Sequence, residues 1–186
     1  IVVGQPSGVL NVTALVTSNY PGGTPLQCFG DSSGTALATI TGGSSPYSII
    51  WDIGSQTTAA ISGLPAGTFC VLVTDSLGCS DTACITLSAP VLLTASVSSN
   101  DALCRGEANG SATVTGSGGT GGYTFLWDVT AGSQTTATAT GLAAGVYPVT
   151  VTDANGCVAV SSAVVGEPAT GVNVALVVTS NYNGAN

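Results

Sequence analysis

The sequence predicts an all-β protein made of two tandem β-sandwich modules, and three observations carry that prediction. Short runs rich in Val, Thr, Ile and aromatic residues are punctuated by Gly and Pro about every ten residues, the spacing of sandwich strands and turns. Within those runs apolar residues alternate with a period of two, and no segment sustains a helical period. The whole pattern is also written twice.

The doubling sets the domain plan. GSQTTA stands at residues 54–59 and again at 132–137. Tyr47, Trp51 and Asp52 are answered by Tyr123, Trp127 and Asp128, and Phe69 by Tyr147. The ending Val73-Thr-Asp75 followed by Gly78-Cys79 returns as Val151-Thr-Asp153 followed by Gly156-Cys157. Residues 7–88 therefore read as the first module and 89–168 as the second. A longer period runs beneath this one. Val2 to Pro6 reappears as Val164 to Pro168, and Val16 to Tyr20 as Val178 to Tyr182, at one offset of 162 (164 − 2 and 178 − 16). Residues 1–6 thus read as the closing strand of a preceding module, or a spare strand. Residues 169–186 read as the opening strand of a following one. With no Met at its start, the chain reads as a window on something longer or a processed product. The alternative is a subunit whose spare strand completes its neighbour by β-strand addition.

Alternation sorts the faces. Val12, Ala14 and Val16 fall on one side of the opening strand, with Leu93, Ala95 and Val97 as their counterparts. Ala36, Ala38 and Ile40 are matched by Ala112 and Val114. Tyr47, Ile49 and Trp51 share a face, as do Tyr123, Phe125 and Trp127; Phe69, Val71 and Val73 are matched by Tyr147, Val149 and Val151. The same side is apolar in both copies and is assigned inward.

Six cysteines in a chain poor in charge and rich in Thr favour disulfides and an oxidising compartment. Cys28 precedes the second strand and Cys79 follows the sixth, and Cys104 and Cys157 hold the same places in the second copy. Pairing Cys28 with Cys79 and Cys104 with Cys157 would clamp each module across a long loop, for about 4 kcal/mol apiece. Cys70 and Cys84 have no equivalents in the second module, where Pro148 and Ser162 stand. They are placed to face each other across a hairpin, on the side opposite Phe69 and Val71; the alternative is that they bond to other chains.

Composition excludes several functions. Nine acids stand against a single base, Arg105, for a net charge of −8. Nucleic acid and anionic membranes both need Lys or Arg to displace counterions, so neither is an expected partner. No apolar run is long enough for a spanning helix. Without His, and without Lys to pair with the aspartates, neither nucleophile activation nor oxyanion stabilisation has its usual parts. Asp31 and Asp75 are the nearest thing to a catalytic carboxylate pair, and each sits at a turn position. The expectation is no enzyme, no metal and no cofactor. Asp75 and Asp153 read as turn formers bonding their own backbone N–H groups. Asp52 and Asp128 read likewise, and Trp51 and Trp127 as core. Tyr20 and Tyr182, each closing Thr-Ser-Asn-Tyr, are candidates for contacts between modules. Asn11 and Asn109 open N-linked acceptor patterns, and Ser76 and Thr82 lie in Asp-Ser/Thr-aliphatic patterns that read as O-linked acceptors.

The recurring frame runs Cys, Gly-rich alternation, a Tyr-containing turn, Trp-Asp, Leu-x-Ala-Gly, Val-Thr-Asp and Gly-Cys. It resembles the SprB-type repeat of very large surface adhesins and gliding-motility proteins of Bacteroidota, over roughly residues 28–87 and 104–166. That resemblance implies immunoglobulin-like sandwiches in a long, secreted, cell-surface protein with no catalytic residues to carry over. Cys70 and Cys84 depart from the pattern. The expected function is a structural or adhesive repeat of an extracellular filament or surface adhesin. It would give rigid, disulfide-stabilised length by end-to-end stacking with copies of itself. The alternative is a module that binds a glycan or protein partner at its loop tips, with the repeats as a stalk. Exposure of Tyr20, Tyr182, Tyr123 and the loop at 116–122 discriminates between them.

Overall fold

The structure, a computed structural model, describes residues 8–169; the expected strands at 1–6 and beyond 169, with Tyr182, lie outside the described residues. Among the described residues, twelve strands form four three-stranded antiparallel sheets. The first six are β1 (Asn11–Val16), β2 (Gly34–Thr41), β3 (Ser48–Trp51), β4 (Ala60–Leu64), β5 (Gly67–Thr74) and β6 (Ser80–Leu87). They make two sheets, β1-β2-β4 and β3-β5-β6. The next six repeat the plan: β7 (Thr94–Asn100), β8 (Gly110–Ser117), β9 (Thr124–Trp127), β10 (Thr138–Leu142), β11 (Gly145–Thr152) and β12 (Val158–Val165), with sheets β7-β8-β10 and β9-β11-β12. In sequence order this is the A-B-E and C-F-G arrangement of an immunoglobulin-like sandwich without strand D.

Each sandwich holds its own core. One is built from Leu10 to Leu87 and the other from Leu93 to Val165. The inward assignments stand for Val12, Ala36, Ala38, Phe69, Val71 and Val73, and for Ala112, Val114, Tyr147, Val149 and Val151, all buried. Tyr47 is the exception. It lies one residue before β3, is 37% exposed and donates its hydroxyl to the Gly42 carbonyl at 2.7 Å. A second adjustment concerns the opening strands. Val12 pairs with Ile40, and Ala95 with Gly116, which makes Ala95, not Leu93, the counterpart of Val12. The loop after β1 is longer than the loop after β7, so a single sequence offset misaligns the strands ahead of it.

The GSQTTA repeat serves the core tryptophans. Trp51 and Trp127 are fully buried, and a buried indole N–H needs an acceptor. Trp51 Nε1 donates to the Thr58 carbonyl at 3.1 Å and Trp127 Nε1 to the Thr136 carbonyl at 3.0 Å, the same position of the motif in each copy. The tryptophan backbone N–H groups bond the Gln56 and Gln134 carbonyls, each at 2.9 Å. The motif thus folds over its own Trp strand. At the start of β11, Tyr147 donates its hydroxyl to the Ala143 carbonyl at 2.8 Å, the tyrosine corner of immunoglobulin-like sandwiches. Phe69 stands at that place in the first module.

The Cys70–Cys84 bond spans directly opposed residues of β5 and β6, with Cα atoms 4.1 Å apart. Pro148 and Ser162 occupy the equivalent opposed positions of β11 and β12. The other expected pairings are overturned. Cys28 bonds Cys157, and Cys79 and Cys104 are exposed free thiols. Strand direction explains the correction. The loop after β1 lies at one end of the sandwich and the β5–β6 turn at the other, where Val12 and Ser44, from the opposite ends of β1 and β2, donate to Asp81 and Asp75. An eight-residue strand such as β2 separates those ends by about 25 Å. A disulfide needs Cα atoms within about 7 Å, so Cys28 cannot reach Cys79, nor Cys104 reach Cys157.

Candidate functional site: the junction between the two sandwiches

The bond between Cys28 and Cys157 marks where the far end of the first sandwich meets the near end of the second. Its Cα atoms are 5.7 Å apart across a sequence separation of 129. Two short turns supply the sulfurs. In the first, Asp31 holds the chain by accepting the Cys28 N–H at 2.9 Å and the Ser33 hydroxyl at 3.0 Å. In the second, Asp153 Oδ1 accepts the N–H groups of Asn155 and Cys157, each at 2.9 Å, and its Oδ2 accepts that of Thr120, also at 2.9 Å. Both aspartates therefore act as turn formers that aim a cysteine.

Around the disulfide lies a polar seam. Gln27 Nε2 donates to the Asn155 carbonyl at 2.8 Å, and Asn155 Nδ2 returns a bond to the Gln27 carbonyl at 3.0 Å. Asn155 Nδ2 also reaches Thr120 Oγ1 at 2.9 Å, while the Thr120 hydroxyl leans 3.4 Å toward the Pro21 carbonyl. Asn155 is buried; its Oδ1 is the buried side-chain polar atom left without a partner among the described residues. A reciprocal amide pair beside a disulfide fixes both the separation and the rotation of two bodies.

Tyr20 and Tyr123 do not form an open aromatic platform. Both are half-buried; Tyr123 donates to the Gly118 carbonyl at 2.6 Å, and Tyr20 leans 3.3 Å toward the Ser33 carbonyl. Tyr20 stands in the same loop as Pro21 and Cys28, so it braces the junction loop from inside. The 116–122 loop contributes Thr120 to the seam. Asp75 is buried and makes the same turn as Asp153, with Leu77 N, Cys79 N and Ser44 N donating to its carboxylate at 2.9, 2.9 and 3.0 Å. Burial pushes its pKa up, but the N–H groups of Ser44, Cys79, Leu77 and Gly78 outweigh that and hold it below its ordinary 3.8. Asp128 caps the short 3₁₀ turn Val129–Ala131 through the Thr130 N–H at 3.1 Å. Asp31 and Asp75 belong to opposite ends of one sandwich, which separates the carboxylates considered as a catalytic pair.

Asn11, Asn109, Ser76 and Thr82 are all exposed. Among the described residues no group of three or more metal-ligating side chains gathers, and no helix is long and apolar enough to cross a membrane. Sequence reasoning missed Gln27, Thr120 and Asn155. The signal that marks two of them is a mismatch between otherwise parallel copies: Gln27 answers Leu103, and Asn155 answers Leu77.

The fold and its covalent junction define a class, a tandem of immunoglobulin-like modules joined end to end. Residues 24–56 and 96–132 match the family model of the SprB repeat, once in each sandwich. No curated protein matches the chain. Among solved structures, the N-terminal four immunoglobulin domains of Dscam1 isoform 9.44 align at 15% identity and a TM-score of 0.37, covering 90% of this chain and 48% of that one. A structure described as the basis for Dscam isoform specificity aligns at 15% identity and a TM-score of 0.32, covering 88% and 47%. The chain spans about half the length of these structures.

Proposed function

We propose that this chain is a rigid spacer unit of an extracellular filament or large cell-surface adhesin, which makes length by stacking sandwiches end to end. The observation that carries this reading is the Cys28–Cys157 bond with its reciprocal Gln27–Asn155 pair. Domains within a chain move relative to one another unless their interface is extensive. A covalent tie flanked by paired amides removes that freedom in a way a flexible display stalk does not need. Disulfides on this scale suit an oxidising, extracellular setting, and Arg105 is the lone Lys/Arg position at which a trypsin-like protease could cut. Sugars on Asn11, Asn109, Ser76 or Thr82 belong to the same proposal, as a hydrophilic coat on a surface with little charge. Neither catalysis nor a cofactor forms part of it.

Small-angle scattering of the purified chain tests the spacer role. The expected result is one rod-shaped particle under oxidising conditions, which becomes a flexing pair when Cys28→Ser removes the tie. Two sandwiches tumbling independently with the bond intact would overturn the reading. The half-buried state of Tyr20 and Tyr123, and the engagement of the 116–122 loop in the seam, favour a spacer over a glycan-binding tip. Binding on a glycan array that is lost on substituting these residues would reverse that preference.

A further inference from the structure

Two thiols are left over, and they sit where the bonded pair would sit if the junction were repeated. Cys104 lies at the far end of the second sandwich in the turn that Cys28 occupies in the first. The Asp31 N–H faces the Cys28 carbonyl at 3.4 Å, and the Glu107 N–H faces the Cys104 carbonyl at 3.2 Å. Cys79 lies at the near end of the first sandwich in the turn of Cys157. The Asp75 and Asp153 N–H groups bond the Cys79 and Cys157 carbonyls at 2.9 and 3.0 Å, and each cysteine N–H bonds its aspartate at 2.9 Å. One end of the unit thus carries the donor half of the junction and the other end carries the acceptor half, both exposed.

The flanking residues match as well. Inside the unit the junction pair is Gln27 with Asn155, polar against polar. At the free ends the equivalent pair is Leu103 with Leu77, which are 78% and 63% exposed. Both substitutions go the same way, so each end is suited to the other and mismatched to the internal seam. A hollow of about 500 Å³ also opens beside Cys79, lined by Val9, Leu10, Asp75 and Ser80 among others. The sequence beyond the second sandwich restarts the pattern of the first, with Val178 to Tyr182 repeating Val16 to Tyr20.

We infer that Cys104 of one copy of this unit forms a disulfide with Cys79 of the next, with Leu103 packed on Leu77, so that covalent junctions of alternating polar and apolar character run along the array. The inference rests on the end-to-end reading above and names the partner, a second copy of this chain. The bond forms by exchange with a small-molecule disulfide of the oxidising compartment. One protein thiolate attacks it and releases one thiol. The second protein thiolate then attacks the mixed disulfide and releases the other. The two cysteines lose two electrons and two protons, and the small disulfide is reduced by the same two electrons to two thiols.

The test uses two full-length variants, Cys79→Ser and Cys104→Ser, each left with one free thiol, one of them labelled uniformly with nitrogen-15 so that the two are distinguishable by mass. They are mixed at equal concentration and oxidised with glutathione disulfide. The expected product is the heterodimer joined through Cys104 and Cys79, in about tenfold excess over homodimers because only that pairing buries both leucines. Adding Leu77→Asn to the Cys104→Ser component should slow heterodimer formation about tenfold, and Leu103→Gln in its partner should restore it by recreating the internal amide pair. A random mixture of homo- and heterodimers, or no effect of Leu77→Asn, would overturn the inference. If the isolated unit still scatters as a rod in that case, this inference fails alone and the spacer role survives.

Discussion

Cys28 and Cys157 are joined with Cα atoms 5.7 Å apart although 129 residues separate them, and the bond ties two sandwiches rather than closing one. Its energetic weight is correspondingly long-range. In the chain-entropy model a loop of this length contributes about 5 kcal/mol by restricting the unfolded chain. Cys28→Ser is therefore expected to lower the thermal midpoints of the chain and to uncouple the unfolding of the two sandwiches. Calorimetry would then resolve two transitions where the native protein couples them.

The Cys70–Cys84 bond acts within one hairpin, and its effect stays local. With a sequence separation of 14, its loop contributes about 3 kcal/mol. The double variant Cys70→Ser/Cys84→Ser should destabilise the first sandwich by about that amount and leave the second untouched. Hydrogen exchange, read separately over β5–β6 and β11–β12, checks the asymmetry.

Tyr147 anchors the second sandwich by its hydroxyl. Tyr147→Phe removes the 2.8 Å bond to the Ala143 carbonyl while keeping the ring in the core, at an expected cost of about 1 kcal/mol. The native Phe69 in the other copy indicates that the fold tolerates the loss. In the uncoupled Cys28→Ser background, chemical denaturation should show the midpoint of the second sandwich alone moving down.

Asp153 organises the turn that presents Asn155 and Cys157. Asp153→Ala leaves three N–H groups, of Thr120, Asn155 and Cys157, without their acceptor, at an expected cost of about 1–3 kcal/mol. The looser turn should expose the Cys28–Cys157 sulfurs. Its reduction by a dithiol, timed by mass spectrometry, is expected to quicken relative to that of Cys70–Cys84.

Asp75 gives the protein an acid limit. Its folded pKa lies below its unfolded one, so its contribution is fully present above about pH 4 and is lost as pH falls through the folded value. The thermal midpoint of the protein should therefore drop on acidification in that range. Asp75→Asn should lower the midpoint at neutral pH, because an amide nitrogen then faces N–H donors, and should flatten the acid dependence. A pH series of melting curves for both proteins decides it.

Much of this architecture is legible in the residues because it is local. Alternation alone places Phe69, Val71 and Val73 inward, and the midpoint between residues 70 and 84 sets the hairpin register that opposes the two cysteines. The turn role of Asp75 and Asp153 follows from side chains that can reach their own backbone two and four residues on. Tyr47 escapes because it lies just outside its strand, where the alternation no longer applies. The offset between β1 and β7 escapes because an unequal loop shifts everything before it.

By itself, the sequence determined that this protein is a doubled β-sandwich with six cysteines in two kinds of place, since strand period and internal repetition are properties of the chain. Which cysteine meets which was decided only by the tertiary structure. Equivalent positions share a turn but not an end of the sandwich, and antiparallel strands carry Cys28 and Cys79 about 25 Å apart. A sulfur bond is formed by proximity in space, and only the stacking of one sandwich on the next brought Cys28 to Cys157.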